Sequence, residues 1–310
     1  MATAQVVEVD GRELSLTNLD KVLYPSTGFT KGEVIDYYAR IALAILPHLA
    51  GRPLTLRRFP EGVGASSFFE KRCPKHRPEW VETAAIWSER EDGEIEFCVC
   101  NDKPTLVWMA QLAALELHPS LSRAGRMESP TVLAFDLDPG EPADVIDCAR
   151  VALQVRSLFD GLGVECFPKT SGGKGLQVYV PLNADVTYET TKPYAHAVAQ
   201  LLEKMHPDAI VSRMTKRLRK GKVFVDWSQN TESKTTVAVY SLRARERPTV
   251  STPIEWDEVA AAAESGDPDP IRFETADVLE RFEDRGDLFA PVLELEQELP
   301  GLDNLAAESE

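Results

Sequence analysis

The stretch Val132-Leu-Ala-Phe-Asp-Leu-Asp-Pro-Gly140 is an apolar run that ends in two carboxylates and a Pro-Gly turn signal. This pattern predicts a buried strand stopped by a turn. Residues two apart on a strand share a face, so Asp136 and Asp138 stand side by side. Like charges in a partly desolvated site repel each other. A divalent cation relieves that cost, and hard oxygen ligands suit Mg²⁺ or Mn²⁺. A solvated turn accounts for the same residues, because Asp, Pro and Gly all favour turns. A second apolar run, Lys222-Val-Phe-Val-Asp226, adds a third carboxylate. An Asp within a strand needs a partner. The basic run just before it could supply an ion pair. Alternatively, the three aspartates build a two-metal site of the kind that performs in-line phosphoryl displacement.

Between these runs lies Lys169-Thr-Ser-Gly-Gly-Lys-Gly-Leu-Gln-Val-Tyr-Val-Pro181. The G-x-x-x-x-G-K-[ST] order of a Walker A loop is absent. Glycines still let backbone N–H groups approach an anion, and Ser171 and Lys174 add contacts. A plain hairpin is the simpler reading of the same loop. Further on, Tyr240-Ser-Leu-Arg-Ala-Arg-Glu-Arg247 sets Arg243 and Arg245 two apart, on one face of an extended segment. Guanidinium groups bind phosphate oxygens bidentately and stay charged. A solvated edge strand would look alike. Carboxylates, a Gly-Lys loop and an Arg pair together point to a nucleoside triphosphate.

The order D-x-D, S-G-G-K-G-L-x, V-F-V-D-W-S-Q-N and S-x-R-A-R resembles the archaeo-eukaryotic primase (primase-polymerase) superfamily. The likeness is greatest to the polymerase domain of bacterial ATP-dependent DNA ligase D and its stand-alone relatives. It runs from about Leu16 to about Pro253 and includes Asp20-Lys-Val-Leu-Tyr-Pro25, Gly51-Arg-Pro53, Phe68-Phe-Glu-Lys71, Glu116-Leu-His118 and Gly221-Lys-Val-Phe-Val-Asp226.

The resemblance implies that Asp136, Asp138 and Asp226 are the catalytic, metal-binding residues of a templated polymerase. It implies that His118, Ser171, Lys174, Arg243 and Arg245 surround the triphosphate, with Gln177 at a further nucleotide-binding position. Phe68 and Phe69 would form an aromatic platform against a base. Lys21 and Lys31, with Asn18 nearby, would hold a downstream 5′-phosphate. Arg57, Arg58 and Lys71 would contribute to DNA binding. Each residue also has a plainer role: Phe68-Phe69 as core, Lys21 and Lys31 as surface charge, His118 as a helix C-cap. The family usually has His where this chain has Gln177. Gln donates a hydrogen bond but carries no positive charge, so a raised nucleotide requirement is expected, with activity kept.

Composition is compatible with this reading. A chain of 310 residues with 43% hydrophobic residues can bury a large core. The longest apolar stretches fall short of a membrane span, and the N-terminus lacks a signal peptide's basic and apolar regions. A cytoplasmic, nucleoid-associated location without membrane contact is expected. The net charge of −16 is unusual for a DNA binder, but it is unevenly placed. From Pro253 onward there are 18 Asp/Glu against 3 Lys/Arg, leaving 32 against 31 in the preceding residues. Arg213-Met-Thr-Lys-Arg-Leu-Arg-Lys-Gly-Lys222 is the densest basic cluster, and its Lys216, Arg217 and Lys220 are expected to face DNA.

The five cysteines, an odd number without a secretory signal, are expected to be reduced thiols. Cys73-Pro-Lys-His76 and Cys98-Val-Cys100 could supply four zinc ligands, but inert structural thiols are commoner and zinc is not expected.

The coarse pattern is mixed α/β. Thr30 and Glu33 form a capping box for a helix to about Leu49. Strands fall near 83–87 and 94–100, with a strand-like start at Gly51. Thr105 to Leu117 reads as a buried helix, and Val145 to about Gly161 as an amphipathic one. A strand near Val164 to Phe167 precedes the Gly-Lys loop and another, Leu176 to Val180, follows it. Tyr188 to Met205 is helical. Strand 222–227 is expected to pair with 236–241 as a hairpin. Trp256 to Ala263 and Thr275 to Phe282 are helical, and the tail from Asp303 frays.

The resemblance implies a two-lobed catalytic domain over 1–303. Its expected parts are an N-terminal α/β part (about 1–128), an RRM-like part (about 129–250) and an acidic helical part (about 253–303), followed by an acidic tail, 304–310. The expected function is a DNA primase-polymerase, a nucleotidyltransferase that extends primers at gaps or breaks in repair or end joining. It would use two Mn²⁺ or Mg²⁺ ions and accept or prefer ribonucleotides. The chain has no K-x-D-G, so it either relies on a separate ATP-dependent DNA ligase or is one domain cut from a larger protein; the other expected partners are DNA bearing a 5′-phosphate, nucleoside triphosphates (NTP or dNTP) and Ku. Two other classes fit the same motifs: a DNA-end-bridging module with weak catalysis, and a metal-dependent phosphohydrolase.

Overall fold

A computed structural model describes residues 4–307. The chain begins with β1 (Gln5–Val9), β2 (Arg12–Leu16), β3 (Val22–Tyr24), β4 (Phe29–Thr30), α1 (Lys31–Arg40) and α2 (Ala42–Leu49). It continues through β5 (Pro53–Arg58), β6 (Phe68–Glu70), β7 (Thr83–Ser88), β8 (Gly93–Val99), α3 (Lys103–Gln111) and β9 (Ala114–Pro119). Then come β10 (Val132–Pro139), α4 (Val145–Gly161), β11 (Phe167–Thr170), β12 (Leu176–Pro181), α5 (Tyr188–Met205), β13 (Ile210–Val211) and β14 (Val223–Asp226). The remaining helices are α6 (Trp256–Ser265), α7 (Thr275–Arg285), α8 (Pro291–Glu294) and α9 (Leu302–Ala307). Among the described residues no helix is long and apolar enough to cross a membrane.

The chain divides into two compact units that do not follow the linear order of the sequence. Unit 1 comprises 1–124, 235–251 and 274–287; unit 2 comprises 125–234, 252–273 and 288–310.

Unit 2 is built on the order β10-α4-β11-β12-α5-β14, the β-α-β-β-α-β order of ferredoxin-like folds. Its sheet runs β11-β12-β10-β14-β13. Leu133, Phe135 and Leu137 of β10 join Val178, Val180, Val223 and Val225 in the buried cluster with α4 and α5. The alternate residues of β10, including both aspartates, therefore take the opposite face. Asp144 starts α4 with a capping box to Asp147.

Unit 1 is organised around β5, which pairs with β6, β8 and β9. Thr30 and Glu33 form the expected capping box of α1.

Several elements depart from their sequence patterns. The helix expected through Leu49 breaks at Ile41, whose ψ of 0° ends α1 before α2 begins. The helix expected over Thr105 to Leu117 stops at Gln111. Ala113 takes φ +56°, a left-handed cap with no glycine to announce it, and Leu117 and His118 lie on strand β9. His118 is thus not a helix cap. β11 begins at Phe167, so Lys169 belongs to the sheet rather than to the loop.

Segment 236–241 does not form a hairpin with β14. Its Ala238 N–H donates to Leu117 O at 2.9 Å instead, because alternation names a face but not a partner. Residues 304–307 of the tail are helical; 308–310 lie outside the described residues. Cys73 and Cys98 form a disulfide rather than remaining thiols, which also removes two of the four imagined zinc ligands. Cys100, Cys148 and Cys166 are free and buried.

Candidate active site

In unit 2, strand register puts polar side chains in a row across the sheet. Lys169 of β11 is opposite Gln177 of β12, Gln177 is opposite Asp136 of β10, and Asp136 is opposite Asp226 of β14. Asp138, two residues further along β10, shares that face and is exposed. Lys169 is fully buried, its Nζ 5.4 Å from the Tyr179 ring centroid. Desolvation and the Asp138 charge push the Asp136 carboxyl well above the ordinary range; Gln177's hydrogen bond and the Lys169 charge oppose this.

Asp226 is held by its own turn rather than by the basic run. Its Oδ1 accepts from Ser228 N (2.9 Å) and Ser228 Oγ (2.5 Å), and its Oδ2 accepts from Gln229 Nε2 (3.0 Å). Turned this way, Asp226 does not close a cage: among the described residues no three His, Cys, Asp or Glu side chains converge on one point.

The residues nonetheless fit a hard divalent cation. Three carboxylates are adjacent on two paired strands. Gln177 donates to Asp136, which leaves its buried Oε1 without a donor. Gln177 Oε1 and the Asp136 and Asp138 carboxylates are oxygen donors of the type Mg²⁺ and Mn²⁺ accept.

Two features hold the row in register. Asn230, fully buried, extends the sheet with its side chain: Oδ1 accepts from Ala134 N (2.9 Å) and Nδ2 donates to Ala134 O (2.7 Å). Its place in V-F-V-D-W-S-Q-N was visible in the sequence, but its role was not. Gly175 lies so close to β10 that a Cβ there would collide with Leu137 O, and Gly140 stands in the same relation to Arg219 O. In the Gly-Lys loop, Ser171 Oγ accepts from Gly173 N and Gly175 N at 3.2 and 3.3 Å. Lys174 is exposed and paired with Glu141 at 3.0 Å. Lys216, Arg217 and Lys220 are exposed.

Unit 1 has a second polar row. Phe69 of β6 is opposite Arg57 of β5, and Arg57 is opposite Glu116 of β9. Glu116, 1% exposed, is the hub that sequence reading missed. It contacts Arg57 Nη1 (3.3 Å), His118 Nε2 (3.1 Å), Arg243 Nε (3.2 Å) and Ala244 N (3.0 Å). Burial raises its pKa, but the His118 hydrogen bond and the Arg243 charge outweigh this and hold it below the carboxylate range. Burial lowers the pKa of His118 despite the Glu116 contact. Phe68 and Phe69 are exposed rather than core, with Arg58 over Phe68 and Arg57 over Phe69, each at 5.3 Å.

Arg243 and Arg245 are brought near each other but not onto one face of an extended strand. The backbone turns between them, with Arg245 N donating to Arg243 O at 2.9 Å, and Arg245 is exposed while Arg243 is recessed. Three tyrosine hydroxyls fasten this segment: Tyr24 to Arg243 O (2.9 Å), Tyr37 to Tyr240 O (2.8 Å) and Tyr38 from Leu242 N (3.1 Å). Tyr240 itself sits at φ +64°, an outlier for a bulky residue.

Lys21 and Arg58 lie close enough to Lys31 for their charges to act on it. Lys31 is buried, with Nζ donating to Thr17 O at 2.8 Å, and Lys21 pairs with Glu61 at 2.7 Å. Asn18 is exposed nearby in sequence at φ +56°. Lys71 is exposed.

A carboxylate row on a β-α-β-β-α-β sheet, with a Gly-Lys loop beside it, defines a class of metal-dependent phosphoryl-transfer proteins. The model of the LigD primase-polymerase domain matches residues 30–289. The multifunctional non-homologous end joining protein LigD of Mycolicibacterium smegmatis is 44% identical over 279 residues, covering 89% of this chain and 36% of that protein. The bifunctional non-homologous end joining protein LigD of Bacillus subtilis is 31% identical over 275 residues, covering 88% of this chain and 43% of that protein. Among solved structures, the polymerase domain of Mycobacterium tuberculosis ligase D in complex with DNA superposes with a TM-score of 0.83 at 42% identity, covering 92% of this chain and 99% of that one. The chain belongs to the LigD primase-polymerase family. It spans little more than a third of the length of the mycobacterial relatives.

Proposed function

We propose that the chain is a DNA-templated nucleotidyltransferase that extends a primer at a gap or break during end joining. The observation that carries this is the register-aligned row Gln177-Asp136-Asp226 with Asp138 beside it. The names of the relatives support the end-joining setting, and the DNA in the related structure supports the substrate. In this reading a primer 3′-hydroxyl attacks the α-phosphorus and pyrophosphate leaves. Asp136, Asp138 and Asp226 would hold Mn²⁺ or Mg²⁺, which supply Lewis acidity toward the hydroxyl and neutralise phosphate charge.

Ser171, Lys174 and Gln177 in unit 2, and His118, Arg243 and Arg245 in unit 1, are assigned nucleotide-binding roles. Arg guanidinium groups suit phosphate oxygens, and Phe68 and Phe69 suit base stacking. The Lys21, Lys31 and Arg58 group, with Asn18, is assigned to a 5′-phosphate. Arg57 and Lys71, together with Lys216, Arg217 and Lys220, are assigned to DNA more generally. Ribonucleotide acceptance, a ligase partner, Ku and a place at the nucleoid belong to the same proposal.

The test is extension of a labelled primer on a gapped, 5′-phosphorylated template with Mn²⁺ and either ribo- or deoxyribonucleotides. Loss of templated product in Asp136→Ala/Asp138→Ala supports the proposal. Stable DNA binding without extension by the wild type sinks it and favours an end-bridging module, the reading that Gln177 in place of His keeps open. Phosphate release without templated product would favour a phosphohydrolase.

A further inference from the structure

We propose that Glu116 is a positioning residue for nucleotide binding: a buried carboxylate that fixes the His118 ring in one tautomer and sets the guanidinium groups of Arg57 and Arg243 around it. This rests on the nucleotide-binding roles proposed above for His118 and Arg243. The two carboxylate oxygens divide the work. Oε2 faces His118 Nε2 at 3.1 Å and Arg57 Nη1 at 3.3 Å, while Oε1 faces Arg243 Nε at 3.2 Å and Ala244 N at 3.0 Å.

An ionised carboxylate only accepts hydrogen bonds, so the hydrogen of the His118 ring must sit on Nε2. In the neutral imidazole Nδ1 then remains an acceptor, and the ring has one orientation and one tautomer. Arg57 is fixed on its other sides as well, with its guanidinium 4.9 Å from the Phe59 ring centroid and 5.3 Å from that of Phe69. Phe69 meets the His118 ring edge to face at 5.8 Å. One buried carboxylate therefore ties an exposed aromatic ring to an imidazole and two guanidinium groups.

The charges point to a purpose. One carboxylate gathers two guanidinium groups and an imidazole. Guanidinium groups held in fixed geometry form a receptor for an anionic phosphate. A buried ion pair is a weak source of stability in itself, and positioning is the role this arrangement fits.

The experiment combines long-range ¹H–¹⁵N NMR of the His118 ring with steady-state primer extension by wild type, Glu116→Gln and Glu116→Asp. The wild-type ring should show Nε2–H with Nδ1 unprotonated. Glu116→Asp keeps the charge but withdraws it by one methylene, so it separates position from charge. Both variants should raise the nucleotide KM by about tenfold or more with kcat within about threefold, the signature of lost ground-state binding, and both should shift the His118 ring signals. An Nδ1–H tautomer in the wild type, or variants with unchanged KM and ring signals, overturns the proposal. Should Glu116→Gln fail to fold, the wild-type tautomer and Glu116→Asp still decide. Should the wild type bind no nucleotide and extend no primer, the functional reading fails by itself, while the NMR arm still reports whether Glu116 sets the ring.

Discussion

Asp136 and Asp226 are direct cross-strand partners on β10 and β14, presenting two carboxylates from neighbouring strands. Like charges set opposite each other destabilise a sheet. Neutralising Asp136 should therefore help the fold while removing the proposed activity. Asp136→Asn is expected to melt about 2 °C higher than wild type in chelator, while templated extension falls by about 10³-fold. Thermal denaturation and extension assays on the same preparation check both halves.

Asn230 stands in for a strand at Ala134, and removing its side chain leaves a buried N–H and C=O unpaired. Each such loss costs about 1–3 kcal/mol. Asn230→Ala should lower unfolding free energy by about 3 kcal/mol in a urea titration.

Gly175→Ala forces a Cβ against Leu137 O, a backbone atom that cannot swing aside. Overpacking of this kind costs about 1–3 kcal/mol. Beyond lost stability, it should displace the Gly-Lys loop and raise the nucleotide KM. Retained stability with unchanged kinetics would show that the loop relaxes freely.

Burial, with the Lys21 and Arg58 charges, lowers the pKa of Lys31 to about 8, against 10.5 for a free lysine. Between these values the unfolded chain binds more protons than the folded one, so this group makes stability rise with pH from about 8 to about 10.5. The penalty for burying its charge is fully present below pH 8. Binding of 5′-phosphorylated gapped DNA should move the other way, weakening as pH climbs through about 8 and beyond. A Lys31→Arg variant, always charged, should flatten that profile; fluorescence anisotropy across pH 7–9.5 reads it.

Gln177 donates to Asp136, so histidine in its place should change phosphate contacts through charge rather than through length. Gln177→His is expected to lower the apparent nucleotide KM. An unchanged KM would count against a phosphate role at position 177.

Local chemistry was legible in the sequence because strand period and capping act within a few residues. Asp136 and Asp138 on one face, the Thr30–Glu33 capping box and helix Tyr188–Met205 all stand as read. Glycines in the Gly-Lys loop were visible too, although their collision partners were not. The tertiary structure alone decided which strands pair. It put Gln177 and Asp226 on either side of Asp136 and drew Lys169 into the sheet. It also sent 236–241 to β9, joined Cys73 to Cys98, and gathered Arg57, His118 and Arg243 on Glu116. Strand period says which side chains share a face, whereas register and burial, which depend on residues as distant as Tyr24 and Arg243, 219 positions apart, say which of them meet.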